Sequence, residues 1–356
     1  MAEKVLMKGN ELIAEAAVRC GVNFFSGYPI TPQTELLEYM SWRLPQAGGH
    51  FIQAESEVAS SAMLFAASTA GARAMTATSG PGLSLMAENL ALMCLSRLPG
   101  LIVDVQRAAT NITPEQSDYN FVVKGVGHNG MRGLVYAPAS LQEAVDLVSL
   151  ALNKADEYMI PAFLMTDGMI GQMEEPAVLP EYTAERPFLH YTAPTGCAGR
   201  EPIMGRNQPR HTSINESDED ALEKARMEYY ALYRRWVDTE AMYEEYMMDD
   251  AEYVIFAYGG SARIMRDAVK ILRSRGIRAG MFRPITLHPF PEKQVAAIRA
   301  KAALSVEMAI PPMFYDDVRL HLDRSIPLRF YNRCGGNMVD EYEAVEAMLS
   351  LIKEVS

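Results

Sequence analysis

The chain has few of the residues that hold metals and clusters. Its 356 residues include six histidines without ligand-like spacing and four cysteines that lie far apart, with no Cys-x-x-Cys pair: Cys20, Cys94, Cys197 and Cys334. Zinc sites and iron–sulfur clusters are held by closely spaced thiolates, so neither is predicted. We therefore expect reduced thiols and no metal bound by this chain alone.

Clusters of positive charge and long apolar runs are also lacking. The net charge is −12 and no stretch is rich in Lys and Arg, which argues against binding to nucleic acid or to an anionic membrane surface. Residues 1–15 contain no apolar core of signal-peptide length, and the most apolar stretch, 59–74, is interrupted by Ser, Thr and Gly. We expect a cytoplasmic protein that binds neither nucleic acid nor a membrane.

Strand-like and helical patterns alternate through the first half of the chain. Apolar runs predict strands at residues 23–26, 75–78, 101–106, 133–136 and 162–165. Helices are predicted at 34–44, 57–68, 83–95 and 141–156, and an earlier helix is expected to begin with Asn10 as its cap. Such alternation is typical of an α/β fold, in which a doubly wound, mostly parallel sheet is covered on both faces.

The second half indicates a smaller α/β unit, since a chain of this length can form two cores. Residues 195–250 are predicted to form a connector followed by a charged helix at 217–250. Its interleaved aromatic side chains are expected to pack on this protein or, alternatively, on another subunit. Strand and helix patterns resume afterwards, so domains are expected at 1–194 and 251–356.

A short segment after the first predicted strand is the first candidate site. Tyr28, Pro29, Ile30, Thr31 and Pro32 lie between that strand and a helix, where open α/β sheets place their ligands. Pro32 suits the first turn of the helix and Thr31 suits its N-cap. A hydroxyl and a helix N-terminus together favour a bound anion such as the carboxylate of a small acid. Alternatively, the segment is only the start of a capped helix.

Three further motifs follow this segment along the chain. They are residues 53–59 (QAESEVA), 76–82 (TATSGPG) and 103–107 (VDVQR). In this order the four motifs resemble the thiamine-pyrimidine half of the 2-oxoacid:ferredoxin oxidoreductases, specifically the α subunit of the branched-chain (2-oxoisovalerate) type. The resemblance implies a thiamine-pyrimidine-type parallel sheet followed by a smaller transketolase C-terminal-like α/β domain.

The resemblance also implies roles for individual residues. In the family, the Glu of a Ser-Glu pair that opens a small-residue helix bonds the cofactor pyrimidine, and Ser56 and Glu57 match this pair. Glu57 is then catalytic, because a buried carboxylate favours the tautomer in which thiamine removes its own C2 proton. Thr31 and Arg107 would bind the carboxylate of a 2-oxo acid. The other cofactor-binding residues implied are Tyr28, Pro29, Ile30, Ser79 and Gly80. Taken alone, Glu57 could only complement a helix dipole and Arg107 could form a surface ion pair.

The sequence lacks the other half of such a site. The family binds the diphosphate and Mg²⁺ of thiamine diphosphate through Gly-Asp-Gly followed at a distance by Asn, and this chain has no such pattern. The resemblance therefore implies a complex with a diphosphate-binding β subunit, a γ subunit and a ferredoxin-like subunit that holds the iron–sulfur clusters. Coenzyme A is the implied co-substrate, and ferredoxin the implied electron acceptor.

The implied reaction is the oxidative decarboxylation of a 2-oxo acid, branched-chain by resemblance, to an acyl-CoA. The chain departs from the branched-chain pattern after Arg107, where residues 108–112 replace a longer glycine-rich loop. The alternatives are a subunit of a nonoxidative thiamine-dependent decarboxylase and a noncatalytic assembly subunit. A G-x-G-x-x-G pattern at 125–130 does not indicate a dinucleotide site, because a strand and not a helix is predicted to follow it.

Overall fold

The computed structural model of the chain describes residues 4–108, 111–183 and 219–355. The predicted connector up to residue 218 lies outside these ranges. The strands are β1 (Lys4–Lys8), β2 (Phe24–Gly27), β3 (His50–Gln53), β4 (Ala74–Thr78), β5 (Gly100–Gln106), β6 (Leu134–Tyr136), β7 (Pro161–Asp167), β8 (Glu174–Val178), β9 (Tyr243–Tyr246), β10 (Tyr253–Ala257), β11 (Ala279–Pro284), β12 (Thr286–His288), β13 (Ala302–Glu307) and β14 (Leu328–Asn332).

The helices alternate with these strands. They are α1 (Gly9–Arg19), α2 (Thr34–Gln46), α3 (Glu57–Thr69), α4 (Gly80–Leu95), α5 (Tyr119–Val123), α6 (Leu141–Tyr158), α7 (Gly168–Gln172), α8 (Glu219–Thr239), α9 (Gly259–Ser274), α10 (Glu292–Ala297), α11 (Phe314–His321) and α12 (Glu341–Val355). A 3₁₀ turn, His128–Gly130, precedes β6. No helix in the described part of the chain is long and apolar enough to cross a membrane.

The first sheet contains seven strands in the order β12-β6-β7-β5-β4-β2-β3. Its strands are parallel except for β12, which pairs antiparallel with β6. Every residue of the central strands β4, β5 and β7 is buried. This is why these strands appear in the sequence as short apolar runs without alternation, and the sheet confirms the predicted doubly wound α/β class.

The second sheet has five strands in the order β14-β13-β10-β11-β9. Its strands are parallel except for β9, which pairs antiparallel with β11. Helices α9 and α12 share an apolar core with this sheet, including Ile255, Leu272 and Met348. The smaller α/β unit predicted from the sequence is therefore present.

The two sheets are linked by β12, which is separated from β11 by a single residue yet belongs to the first sheet. Arg283 reinforces the link: its guanidinium donates to both oxygens of Glu143 at 2.7 and 2.9 Å and to Glu244 at 2.8 Å. The edge of the first sheet is thus completed by the second half of the chain.

The predictions for the cap of α1 and for the end of the charged helix were wrong. Asn10 does not cap α1 but lies inside it, and its side-chain amide donates to the Pro32 carbonyl at 2.7 Å. The charged helix predicted over 217–250 ends at Thr239, because Tyr243–Tyr246 forms the edge strand β9. Trp236, one of the aromatic side chains of this helix, is fully buried and contacts the rings of Tyr158 and His288. This part of the helix therefore packs on its own protein.

Candidate functional site

The predicted site residues follow the carboxyl ends of neighbouring strands. Tyr28 comes directly after β2, Glu57 soon after β3, Ser79 directly after β4 and Arg107 directly after β5. These four strands are adjacent in the first sheet, so the structure brings all four segments to one edge. Open parallel sheets bind their ligands at this edge.

Glu57 is the first residue of α3 and is 7% exposed. The helix starts there because the preceding residue, Ser56, has extended dihedrals and its hydroxyl accepts a hydrogen bond from the Ala59 backbone at 3.2 Å. The carboxyl group has close neighbours on α4 and β4. A Cβ on Gly82 would lie 2.7 Å from Glu57 Oε1 and 2.3 Å from Thr78 Oγ1, so only glycine fits beside this carboxylate.

Ser79 and Gly80 form the start of α4. Ser79 occupies the N-cap position with extended dihedrals, but its hydroxyl makes no capping bond. The Ser79 oxygen is buried and has no hydrogen-bond partner among the described residues. Gly80 donates its backbone N–H to Asp118, and a Cβ on Gly80 would lie 2.7 Å from Asp118 Oδ1. The turn therefore presents an unused hydroxyl at the same edge as Glu57.

Thr31 does not act as the predicted helix cap. Residues Ile30 to Gln33 form a turn, closed by a 3.1 Å hydrogen bond from the Gln33 backbone to the Ile30 carbonyl, so α2 begins only at Thr34. The backbone carbonyl of Thr31, and not its hydroxyl, accepts a 3.0 Å hydrogen bond from Arg107 Nη1. The two predicted substrate-binding residues are thus in direct contact.

Amide side chains hold the backbone of the segment Tyr28 to Pro32 through hydrogen bonds to its carbonyl groups. The Gln33 side chain donates to the Tyr28 carbonyl at 3.0 Å, while Asn10 and Gln172 both donate to the Pro32 carbonyl. Tyr28 and Pro29 are exposed and Ile30 is partly buried. The segment therefore presents side chains outward from a backbone that three amide groups fix in place.

Two buried carboxyl groups that the sequence interpretation did not select lie at this edge. Asp104, on β5, is fully buried, and neither carboxyl oxygen has a hydrogen-bond partner in the described part of the chain. Burial, with Asp118 nearby, raises the pKa of Asp104 well above its usual range. Burial and the neighbouring Glu115 raise the pKa of Asp118 to about 7, although Arg107 opposes this shift. For Asp104 the available signal was an acidic residue inside an otherwise apolar strand.

Gln116 connects this edge to the second sheet. Its side-chain amide donates to the Tyr258 carbonyl at 3.1 Å and accepts from the Ser261 hydroxyl at 2.6 Å and the Met308 backbone at 2.9 Å. Gln116, just before α5, is therefore held by residues of the second half of the chain.

In the described part of the chain, neither the glycine pattern at 125–130 nor Asp167 shows the arrangement of a ligand-binding site. Strand β6 follows the glycine pattern at 125–130, so the helix that a dinucleotide fingerprint requires is missing. Asp167 caps α7 through the Met169 and Ile170 backbone amides and also accepts from Gly260. Among the residues that the structure describes, no three Asp, Glu, His or Cys side chains are grouped so that they could hold a metal ion.

Comparisons with known proteins cover nearly the whole chain. The family model described as pyruvate flavodoxin/ferredoxin oxidoreductase, thiamine diphosphate-binding, matches residues 15–240. The model described as pyruvate:ferredoxin oxidoreductase core domain II matches residues 251–344. The two matches include every residue of the candidate site.

Individual relatives agree with these matches. The chain is 41% identical over 348 residues to the ketoisovalerate oxidoreductase subunit VorB of Methanothermobacter thermautotrophicus, covering 96% of each chain. It is 31% identical to the 2-oxoglutarate synthase subunit KorA of Methanocaldococcus jannaschii, covering 96% of this chain and 98% of the relative. Among solved structures, the 2-oxoglutarate:ferredoxin oxidoreductase from Magnetococcus marinus matches with a TM-score of 0.88 at 26% identity, covering 100% of this chain and 66% of that one.

Proposed function

We propose, from the premise that this chain belongs to the pyruvate flavodoxin/ferredoxin oxidoreductase family of enzyme subunits, that it is the α subunit of a 2-oxoacid:ferredoxin oxidoreductase. The complex would convert a 2-oxo acid and coenzyme A to an acyl-CoA and carbon dioxide, and transfer two electrons to ferredoxin. The observation that carries the proposal is the meeting of Glu57, Ser79 and Arg107 at one sheet edge in a chain of this family.

The residues at this edge fit the aminopyrimidine of thiamine diphosphate. The buried Ser79 hydroxyl has no partner among the described residues, and the glycine at position 82 allows Glu57 to pack closely against the start of α4. Glu57 would bond N1′ and hold a proton there, with Tyr28, Pro29, Ile30, Ser79 and Gly80 forming the rest of the surface. When bound, the cofactor supplies the nucleophilic carbon that attacks a 2-oxo group and accepts the electrons that decarboxylation releases.

Arg107 and Thr31 would bind the carboxylate that all 2-oxo acids share. The Arg107 guanidinium already reaches Thr31, and one of its remaining N–H groups, Nε, is buried without a partner in the described chain. A guanidinium binds a carboxylate through two parallel hydrogen bonds, so a substrate carboxylate would use donors that this structure leaves free. These contacts would select for 2-oxo acids as a class and not for one side chain.

Partners would supply what this chain does not provide. Its sequence has no Gly-Asp-Gly pattern for the diphosphate and Mg²⁺ and no paired cysteines for clusters. We therefore assign the diphosphate site to a β subunit and the iron–sulfur clusters to a ferredoxin-like subunit, with a γ subunit completing the complex. The isolated chain should then bind thiamine diphosphate weakly and show no iron–sulfur absorbance.

A branched-chain 2-oxo acid is the proposed substrate. The chain shares more identity with a ketoisovalerate oxidoreductase subunit than with a 2-oxoglutarate synthase subunit. The loop after Arg107 also offers apolar side chains, with Ala108 buried and Ile112 exposed. Asn111 of this loop donates to the Gly335 carbonyl at 3.3 Å, so the second domain helps to hold it. The sequence of residues 108–114 contains no Lys or Arg that could bind a second carboxylate.

Reconstitution with the partner subunits tests the proposal. We expect acyl-CoA formation and ferredoxin reduction only when this chain and a diphosphate-binding subunit are both present. The kcat/KM values should favour 2-oxoisovalerate over pyruvate, phenylpyruvate and 2-oxoglutarate, although neighbouring acids differ by only about 1 to 3 kcal/mol per methylene. Release of carbon dioxide and an aldehyde without acyl-CoA formation or ferredoxin reduction would indicate a nonoxidative decarboxylase, and a preference for 2-oxoglutarate would contradict the substrate assignment.

A further inference from the structure

A cavity of about 470 Å³ lies away from the candidate active site. Helix α8 forms one wall, and the other walls come from the segment before β6, the turn after β12 and helix α11. Since Met131 and Arg132 precede β6, the cavity lies near the amino end of that strand, whereas the candidate site follows the carboxyl ends of β2 to β5. Its volume is in the range of pockets that hold small organic ligands.

The side chains that line this cavity include more cations than carboxylates. The cations are Lys124, Arg132, Arg226 and Arg234, and the carboxylates are Asp317 and Glu292. Lys124 pairs with Asp317, and Arg234 pairs with both oxygens of Glu292. His288 adds no charge at neutral pH, because burial lowers its pKa to about 4. Two arginines therefore remain in excess in a chain whose net charge is −12.

Neither of these arginines has a carboxylate partner among the described residues. The guanidinium of Arg226 donates at 2.9 Å to Met131 Sδ, and a thioether is a weak acceptor. The Arg132 backbone N–H bonds the Tyr233 hydroxyl at 3.0 Å, which fixes its main chain. Two guanidinium groups that line one cavity are suited to a dianion, because each can donate two parallel hydrogen bonds to it.

Aromatic rings border the same cavity. Tyr230 and Tyr233 lie on the face of α8 that carries Arg226, at helical spacing. Tyr230 is 59% exposed, so its ring is accessible to a ligand. Tyr233 is held edge-on against His288, with ring centroids 5.4 Å apart. Exposed aromatic rings stack on planar ligands such as nucleobases.

We propose that this cavity binds a phosphate monoester attached to an aromatic ring system, as in a nucleoside monophosphate. Arg132 and Arg226 bind the phosphate, and Tyr230 stacks on the ring. A phosphate monoester carries a charge of about −1.5 to −2 at pH 7, which matches the two unpaired arginines. This site does not depend on the function proposed above, because none of its residues belongs to the edge that carries Glu57.

Calorimetric titration of the full-length chain with AMP tests the proposal, with inorganic phosphate and adenosine as parallel ligands. We expect AMP to bind about tenfold or more tightly than either fragment, since only AMP uses both the arginines and the ring. Arg132→Gln and Arg226→Gln should each weaken AMP binding by about tenfold. Tyr230→Ala, at an exposed position where folding is not at risk, should weaken AMP binding but leave phosphate binding unchanged.

Two control variants locate the binding. Arg275→Gln removes an exposed arginine that pairs with Glu346 elsewhere on the surface, and Arg107→Ala alters the candidate active site. Both should bind AMP as the unmodified chain does. The proposal is overturned if AMP binds no better than its two fragments, if Arg107→Ala abolishes binding, or if the Arg132 and Arg226 variants bind AMP normally.

Discussion

Buried polar groups have partners at the junction between the two sheets. At the carboxyl edge of the first sheet, two buried polar groups have none among the described residues. At the junction, Arg283 is buried and its guanidinium is satisfied by Glu143 and Glu244. At the edge, the Asp104 carboxyl and the Ser79 hydroxyl are buried without partners among the described residues. Leaving a buried polar group unpaired costs about 1 to 3 kcal/mol, so the edge carries a cost that the junction avoids. We interpret the junction as structural support and the edge as a surface completed by cofactor and substrate.

The largest expected effect concerns stability at the junction. Arg283→Met leaves Glu143 and Glu244 without their shared cation, and breaking a buried ion pair costs about 3 to 5 kcal/mol. We expect urea unfolding to show a loss of this size, while the residual folded complex keeps its kcat. Arg275→Met, at an exposed pair with Glu346, should change stability little. A similar loss in both variants would remove the distinction between junction and surface.

The next largest effect is expected from Glu57→Gln, and it concerns the activation free energy of catalysis and not stability. Glutamine can still bond N1′ but cannot share a proton with it, so kcat should fall by about 100-fold or more in the assembled complex. Urea unfolding should be nearly unchanged, because no hydrogen bond of the fold depends on this carboxylate in the described structure. If Glu57→Gln unfolded the chain and left kcat per folded complex intact, Glu57 would belong with the structural groups.

Arg107→Ala should act on every substrate alike. In the proposed function, Arg107 binds the carboxylate common to all 2-oxo acids, so kcat/KM should fall by a similar factor of about 10 to 100 for each acid. The measurement is kcat/KM for 2-oxoisovalerate and pyruvate in the two enzymes. A loss confined to one substrate would instead assign Arg107 to recognition of the side chain.

The smallest effect concerns pH. Burial, followed by the neighbouring Glu115, raises the pKa of Asp118 to about 7, while Arg107 lowers it. The unfolded value is about 4, so between these two pH values the folded chain holds a proton that the unfolded chain has released. The free energy of unfolding should therefore fall as the pH rises from about 4 to about 7.

Asp118→Asn isolates this contribution. The variant should show a flatter dependence of unfolding free energy on pH over that window, measured by urea unfolding at several pH values. Asp316→Asn, which changes an exposed aspartate on α11, serves as the control and should keep the original slope. An unchanged slope in Asp118→Asn would show that other groups dominate the titration.

Local sequence patterns were sufficient to predict most of the first sheet. The apolar runs at β4, β5 and β7 correspond to strands buried on both faces, and the helix predicted at 57–68 corresponds to α3. Long-range pairing was not predictable in the same way. Strand β12 is three residues long and pairs with β6 across 150 positions of sequence, which no local pattern can signal.

In the candidate site, too, some features could be predicted from local sequence and others depend on long-range packing. The position of Arg107 after a strand follows from the predicted order of elements, whereas β3, the strand before Glu57, was not predicted; the structure places both residues at one edge. The contact between Thr31 and Arg107 could not be predicted in this way, because it is made by the backbone carbonyl of Thr31 and not by its side chain. Asp104 was not selected because its burial and lack of partners depend on packing between elements that are distant in sequence.

Exchange of the thiamine C2 proton tests the central claim most directly, because it requires neither substrate nor electron transfer. The assembled complex would be compared with Glu57→Gln and with Glu55→Gln, which changes an exposed carboxylate two residues earlier on the same approach to α3. We predict that exchange slows by about 100-fold in Glu57→Gln and stays unchanged in Glu55→Gln. Equal exchange rates in all three proteins, or slowing only in Glu55→Gln, would contradict the assignment of Glu57 to the cofactor and of this edge to catalysis.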